Sequence, residues 1–257
     1  MPEPKQKSQS VLKTSWGFFK SALKTYRANW KLFVGIVLVV SLPASIASVY
    51  MIDPAADSSL SAYLTLAQLA MNAAVIYAIF KLNAKESVGV KEAYYSGSAG
   101  FIRLVLTAFA LVIVSLLLVF GLLILFLGLL VPETALALGE KLLIILLSLI
   151  LLVPGFYLLA RTLLSIFVVF DSEKGPLQAV AESWRLTAGK GWKSLGVLFF
   201  MVVFIFLLVI IPAAILVVLL SLNQVQFFQF LLQVFVGLTV LPISNLYLFN
   251  YYQGLKK

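Results

Sequence analysis

The sequence predicts an all-α fold: a polytopic membrane bundle of six transmembrane helices with short helices on one surface. Three observations predict it. Uncharged apolar runs fill residues 32–52, 60–80, 104–131, 142–160, 195–220 and 225–252. Of the 257 residues, 62% are apolar and only 11% charged, whereas a soluble domain carries about a quarter charged residues. The bases also alternate along the chain, clustering in every second connecting segment.

Each run has the length that a helix needs to cross a ~30 Å hydrocarbon layer, or somewhat more. Helix is the expected form because lipid offers no partner to a free backbone amide. Longer runs can tilt. Before the first run stand Lys5, Lys7, Lys13, Lys20, Lys24, Arg27 and Lys31, and the next connection holds Asp53 and Asp57 without a base. Lys81, Lys85, Lys91 and Arg103 follow the second run. Glu133, Glu140 and the single base Lys141 follow the third. Lys174, Arg185, Lys190 and Lys193 follow the fourth, the fifth connection is neutral around Asn223, and the chain closes on Lys256 and Lys257. By the positive-inside rule this alternation places both termini on the cytoplasmic side. The expected location is a bacterial cytoplasmic membrane.

The basic segments carry helical periodicity of their own. Leu12, Trp16, Phe19, Leu23, Tyr26 and Trp30 recur at steps of three and four, opposite Lys13, Lys20, Lys24, Arg27 and Lys31. Such a helix suits the plane of an anionic leaflet, and the same apolar face equally suits the protein's own bundle. A second short helix is predicted from Pro176, with Leu177, Val180, Ala181 and Trp184 on its apolar face and Gly189 and Gly191 behind it. A weaker one over residues 90–95 is expected to stop at Ser96-Gly97-Ser98-Ala99-Gly100. Trp30-Lys31, Phe101-Ile102-Arg103 and Trp192-Lys193 then form aromatic and basic entries at headgroup level. The chain thus reads as one membrane domain, 1–257, built from three copies of a surface helix plus a hairpin, at about 10–82, 88–170 and 171–252.

Polar residues inside the runs form two stripes, Thr65, Gln68 and Asn72 on the second run and Gln226, Gln229 and Gln233 on the sixth. Amides in lipid must find partners, so both stripes should face inward, either joining helices or lining a cavity. Arg161 is the one base within an apolar stretch, two turns after Pro154-Gly155. It can snorkel to phosphates, pair with Asp171 or Glu173, or hold an anionic ligand.

The chain contains no His and no Cys. That excludes imidazole bases, thiolate nucleophiles and His or Cys metal ligands. Glu133, Glu140, Asp171 and Glu173 form no paired-carboxylate constellation along the sequence, so no catalytic site, metal or cofactor is expected. The net charge of +9 is distributed by topology, which argues against a nucleic-acid partner. The expected partners are membrane lipids, anionic ones of the inner leaflet above all. Their candidate contacts are Lys13, Trp16, Lys20, Lys24, Arg27, Trp30, Trp184, Arg185, Trp192 and Lys193.

Residues 161–196 read RTLLSIFVVFDSEKGPLQAVAESWRLTAGKGWKSLG. Through Arg161, Asp171, Gly175-Pro176, Ala179, Ser183-Trp184-Arg185-Leu186-Thr187, Gly189 and Trp192-Lys193, this stretch resembles the bacterial membrane-domain family associated with glycerophosphoryl diester phosphodiesterases. The close Tyr251-Tyr252-Gln253-Gly254-Leu255-Lys256 is similar to that family's tyrosine-rich basic end. The resemblance implies a six-span integral membrane protein. Some members carry a soluble phosphodiesterase domain after the spans, but that chemistry uses His, so the resemblance does not imply an enzyme here. Two functions are therefore expected to compete: a non-enzymatic lipid-interacting or membrane-organising module, and a permease for a small solute or lipid.

Overall fold

The computed structural model describes residues 11–47, 58–130, 138–172, 174–219 and 225–256. All regular structure among them is helical. The order is α1 Val11–Ala28, α2 Trp30–Ile46, α3 Ser58–Asn83, α4 Val90–Gly97, α5 Phe101–Leu130, α6 Leu138–Thr162, α7 Ser165–Ser172, α8 Pro176–Leu186, α9 Gly191–Leu219 and α10 Val225–Lys256.

Five stretches are long and apolar enough to cross a membrane: Ala62–Asn83, Val90–Gly128, Gly139–Ser172, Gly191–Ala214 and Phe230–Lys256. A sixth is obtained if α1 and α2, bent by 83° at Asn29, count as one. Protein buries only 11% to 39% of their most apolar windows. Phe109, Ile113, Phe120, Leu143, Leu146, Phe199 and Phe206 are among the large side chains left exposed. Water would penalise that surface by about 25 cal/mol per Å², so hydrocarbon is its solvent and the chain is a multi-pass membrane protein.

The chain forms two compact units, residues 1–102 with 196–257, and residues 103–195. In the first, α10 is the hub, packed by α1, α2 and α3, while α3 also packs on α4. Its core holds Phe33, Ile36, Val37, Ile76, Ile79, Tyr247 and Tyr252, all buried. Polar side chains tie these helices together. Tyr94 Oη donates to the Ile36 carbonyl at 2.7 Å, Tyr247 Oη to Val197 at 2.9 Å, and Asn245 Nδ2 to Asn72 Oδ1 at 2.9 Å. One bond has a specific cause. Pro242 has no N–H, so the Leu238 carbonyl loses its helical donor. Tyr26 Oη from α1 supplies the replacement at 2.9 Å.

In the second unit, α5 and α6 approach through glycines. A Cβ on Gly155 would lie 2.7 Å from the Leu118 backbone nitrogen, and one on Gly121 3.0 Å from that of Leu152. Gly128 faces Ile144 on the same helix pair. Gly121 and Gly128 are one stripe, because seven residues make two turns. The short α8 packs on α6 and α7. Its start follows the predicted chemistry: Gly175 is the cap and Pro176 occupies the first turn, where no N–H is needed. Gly189, with φ +70°, turns the chain towards α9.

Three expectations are refined. The run Ser96 to Gly100 does end α4, at Gly97, but its residues Ser98–Gly100 form a 3₁₀ turn leading directly into α5. The small side chains tolerate the tighter winding, so glycine and serine act here as a joint. The uncharged fourth run is followed closely by a break, with α6 ending at Thr162, and after a two-residue turn the apolar stretch that holds Arg161 continues as α7. Finally, the packed face of α1 overlaps only one side of the stripe Leu12, Trp16, Phe19, Leu23, Tyr26 and Trp30: Tyr26 reaches α10, whereas Leu12, Trp16 and Trp30 are exposed. Ser15 and Ala22 are buried, and Phe18 packs on Tyr247 and Tyr251. Small residues allow closer helix approach than tryptophans do, which moves the docking face roughly a quarter turn round the helix.

Candidate functional site

Three places gather the polar and charged residues that the sequence singles out.

The first is the outward side of α1. Lys13, Lys20, Lys24 and Arg27 are exposed on the side of α1 away from the α10 contact, and Lys31 is exposed in the first turn of α2. Between the bases and the docked face lie Leu12 and Trp16, each 54% exposed, and Trp30 begins α2 equally open. Trp16 is supported by Phe19 and Phe204, each 5.8 Å away between ring centroids. Lys31 Nζ lies 6.0 Å from the Trp30 ring, the geometry of a weak cation–π contact. Separately, in the second unit, Trp192 is 72% exposed and Lys193 is open beside it.

The second is the bracket formed by α6 and α8 around Arg161. The side chain is 9% exposed, so it neither snorkels nor faces solvent. Its Nη2 donates to the Trp184 carbonyl at 2.8 Å and its Nε to Thr187 Oγ1 at 3.2 Å. The guanidinium carbon lies 3.6 Å from the Trp184 ring centroid and 5.7 Å from that of Tyr157. Among the described residues Arg161 joins no ion pair. Its charge is met by π faces and by the carbonyl end of α8, where the helix dipole favours a cation. The bracket is reciprocal: Ser183 Oγ donates to the Arg161 carbonyl at 2.7 Å, satisfying an acceptor left over where α6 ends. Asp171 is exposed on α7, and Glu173 lies outside the described residues. Arg185 points outward and pairs with Glu182 at 2.8 Å, and Lys174 reaches the same carboxylate at 3.3 Å. The hydrogen bond from Arg185, then that from Lys174, holds the Glu182 carboxyl below its ordinary range. An open apolar groove of about 600 Å³ runs beside the bracket, lined by Ile113, Leu117, Leu158, Leu177 and Trp184 among others.

The third is a cavity of about 480 Å³ between α2, α3 and α10. Gln68 and Gln233 both line it, so one member of each predicted polar stripe meets there. Ser41 and Ser45 complete its polar wall, which sequence reasoning missed because a serine in an apolar helix carries no periodic signal. Asn72 is drawn away to its bond with Asn245, another residue outside the predicted stripes. Thr65 is exposed on α3. The side chains of Gln226 and Gln229 lie outside the described residues, as do Asp53, Asp57 and Glu133.

No three His, Cys, Asp or Glu side chains gather at one place among the described residues. No family model, curated protein or solved structure matches the chain.

Proposed function

We propose that this chain is a non-enzymatic, lipid-interacting module of a bacterial cytoplasmic membrane, with both termini on the cytoplasmic side. One observation carries the reading: α1 docks through Ser15 and Ala22 and leaves four bases and two large apolar side chains, Leu12 and Trp16, open, with Trp30 and Lys31 open at the start of α2. Docking on the bundle and contact with a leaflet therefore use different faces of one helix. Each base near an anionic surface contributes on the order of 1 kcal/mol, and the tryptophans supply the interfacial anchors. The resemblance of residues 161–196 to the phosphodiesterase-associated membrane domains belongs to the same proposal.

The test uses the full chain in nanodiscs containing a minor fraction of phosphatidylglycerol in phosphatidylcholine. Native mass spectrometry of released protein reads which lipid is retained. The wild type should retain the anionic lipid several-fold over its bulk share, and the combined Lys13→Glu, Lys20→Glu, Lys24→Glu variant should lose that preference. Equal retention by both proteins would reject the reading.

A second reading, a permease for a small neutral solute or lipid, is favoured by the cavity that brings Gln68 and Gln233 together.

A further inference from the structure

Ser41 is 8% exposed, lines the cavity between α2, α3 and α10, and its Oγ has no hydrogen-bond partner among the described residues. A buried hydroxyl left unpaired is costly, so its presence calls for a partner. The Gln68 side chain, exposed within the protein, borders the same space. Gln233 and Ser45 add two further polar groups to the wall. The rest is apolar: Ala44, Leu64, Met71, Val236, Val240 and Leu241.

Among the described residues no charged side chain lines the cavity. A phosphate or ammonium group placed there would lose its hydration without gaining a counter-charge, which is prohibitive. Gln68 lies six residues, roughly 9 Å, inside the start of the apolar segment Ala62–Asn83, and Gln233 three residues, roughly 4.5 Å, inside that of Phe230–Lys256. A volume of about 480 Å³ falls within the range of ligand pockets. The occupant must therefore be uncharged, carry several hydrogen-bonding groups at one end, and be aliphatic elsewhere. An isoprenoid alcohol has a single hydroxyl. A glycerol diester has two ester carbonyls for the amide N–H and serine O–H donors, and one hydroxyl for an amide carbonyl.

We propose that this cavity binds a neutral glycerolipid of the diacylglycerol type, with its glycerol end held by Gln68, Gln233 and Ser41 and its chains passing into the bilayer. The proposal deepens the cavity reading and does not depend on α1, so the two can fail separately.

The test uses full-length protein in phosphatidylcholine nanodiscs and a diacylglycerol probe with a diazirine near the glycerol. After irradiation, labelled peptides are mapped by mass spectrometry. Labelling is expected on α3 around Met71 and on α10 around Gln233. Unlabelled diacylglycerol should suppress it and phosphatidic acid should not. Gln68→Leu with Gln233→Leu should raise the probe concentration needed roughly tenfold or more, the effect of losing two hydrogen bonds. Gly237→Leu is an independent variant that keeps both amides. A Cβ at Gly237 meets Ser41 and Val37 only at ordinary contact distances of 3.4 and 3.5 Å, so the helices need not separate while the added side chain fills the cavity. It should reduce labelling to background. Persistent labelling in either monodisperse variant, equal competition by phosphatidic acid, or background labelling of the wild type would each overturn the proposal. If neither variant is monodisperse, the competition arm on the wild type decides alone.

Discussion

Arg161 shows how one residue can look like a ligand site and prove to be a structural joint. A lone base in an apolar stretch has many readings. Its stacking on Trp184 and its bonds to the Trp184 carbonyl and Thr187 leave one: it locks the end of α8 to α6. Arg161→Ala should destabilise the protein by about 2–4 kcal/mol, since charged hydrogen bonds and a desolvated cation–π contact are both lost. Arg161→Lys should fall between the two, because an ammonium keeps the charge but not the planar fork. Thermal unfolding in detergent, followed by far-ultraviolet circular dichroism, measures both. A lysine variant as stable as the wild type would show that stacking contributes nothing. Glu182 gives a smaller, pH-dependent effect. Its carboxyl is held below the ordinary 4.5 chiefly by the Arg185 hydrogen bond. The pair therefore stabilises α8 at neutral pH, and its contribution is lost as pH falls through the depressed folded-state value. It lies near the surface, so the effect stays under about 1 kcal/mol. Unfolding profiles of Glu182→Gln and the wild type should converge towards acid and separate slightly above pH 5.

Among the helices, proline and tyrosine act as a pair across the sequence. Pro242 frees a carbonyl on α10, and Tyr26 on α1 fills the vacancy. Neither residue signals the other along the chain, since a proline in a span is common and needs no partner of a given kind. Tyr26→Phe keeps the ring beside Phe33 but removes the donor. It should cost about 1–2 kcal/mol, the scale of a bond within the bilayer. Loosening should concentrate in α1, so hydrogen exchange should rise over residues 15–26 and not in α5 or α6. Uniform exchange would show that the hydroxyl does not dock the helix. The glycines of α5 and α6 follow the same logic. Gly155 is legible as a candidate kink after Pro154, but its role is to admit the Leu118 backbone. Which residue meets it depends on rotation about two helix axes.

For the whole molecule, orientation is the property most open to direct measurement. The chain has no cysteine, so single replacements label without background. An impermeant maleimide should react with Asp57→Cys and Glu133→Cys in intact spheroplasts, and with Lys190→Cys only after lysis. The reverse pattern would invert the proposed orientation and move α1 away from the anionic inner leaflet.

Sequence by itself determined the class of solvent, the approximate limits of five of the apolar helices, and the existence of α1 and α8. These depend on composition and periodicity, which are local, and on the exclusion of unpaired backbone from hydrocarbon. The tertiary structure decided which face of each helix is buried. It turned α1 onto Ser15 and Ala22, enclosed Arg161, matched Asn72 with Asn245, and left Gln68, Gln233 and Ser41 around one cavity. The physical reason is that lipid is as apolar as leucine, so hydrophobicity cannot tell a bundle face from a lipid face. Small residues, freed carbonyls and buried amides make that choice, and their partners lie far away along the chain.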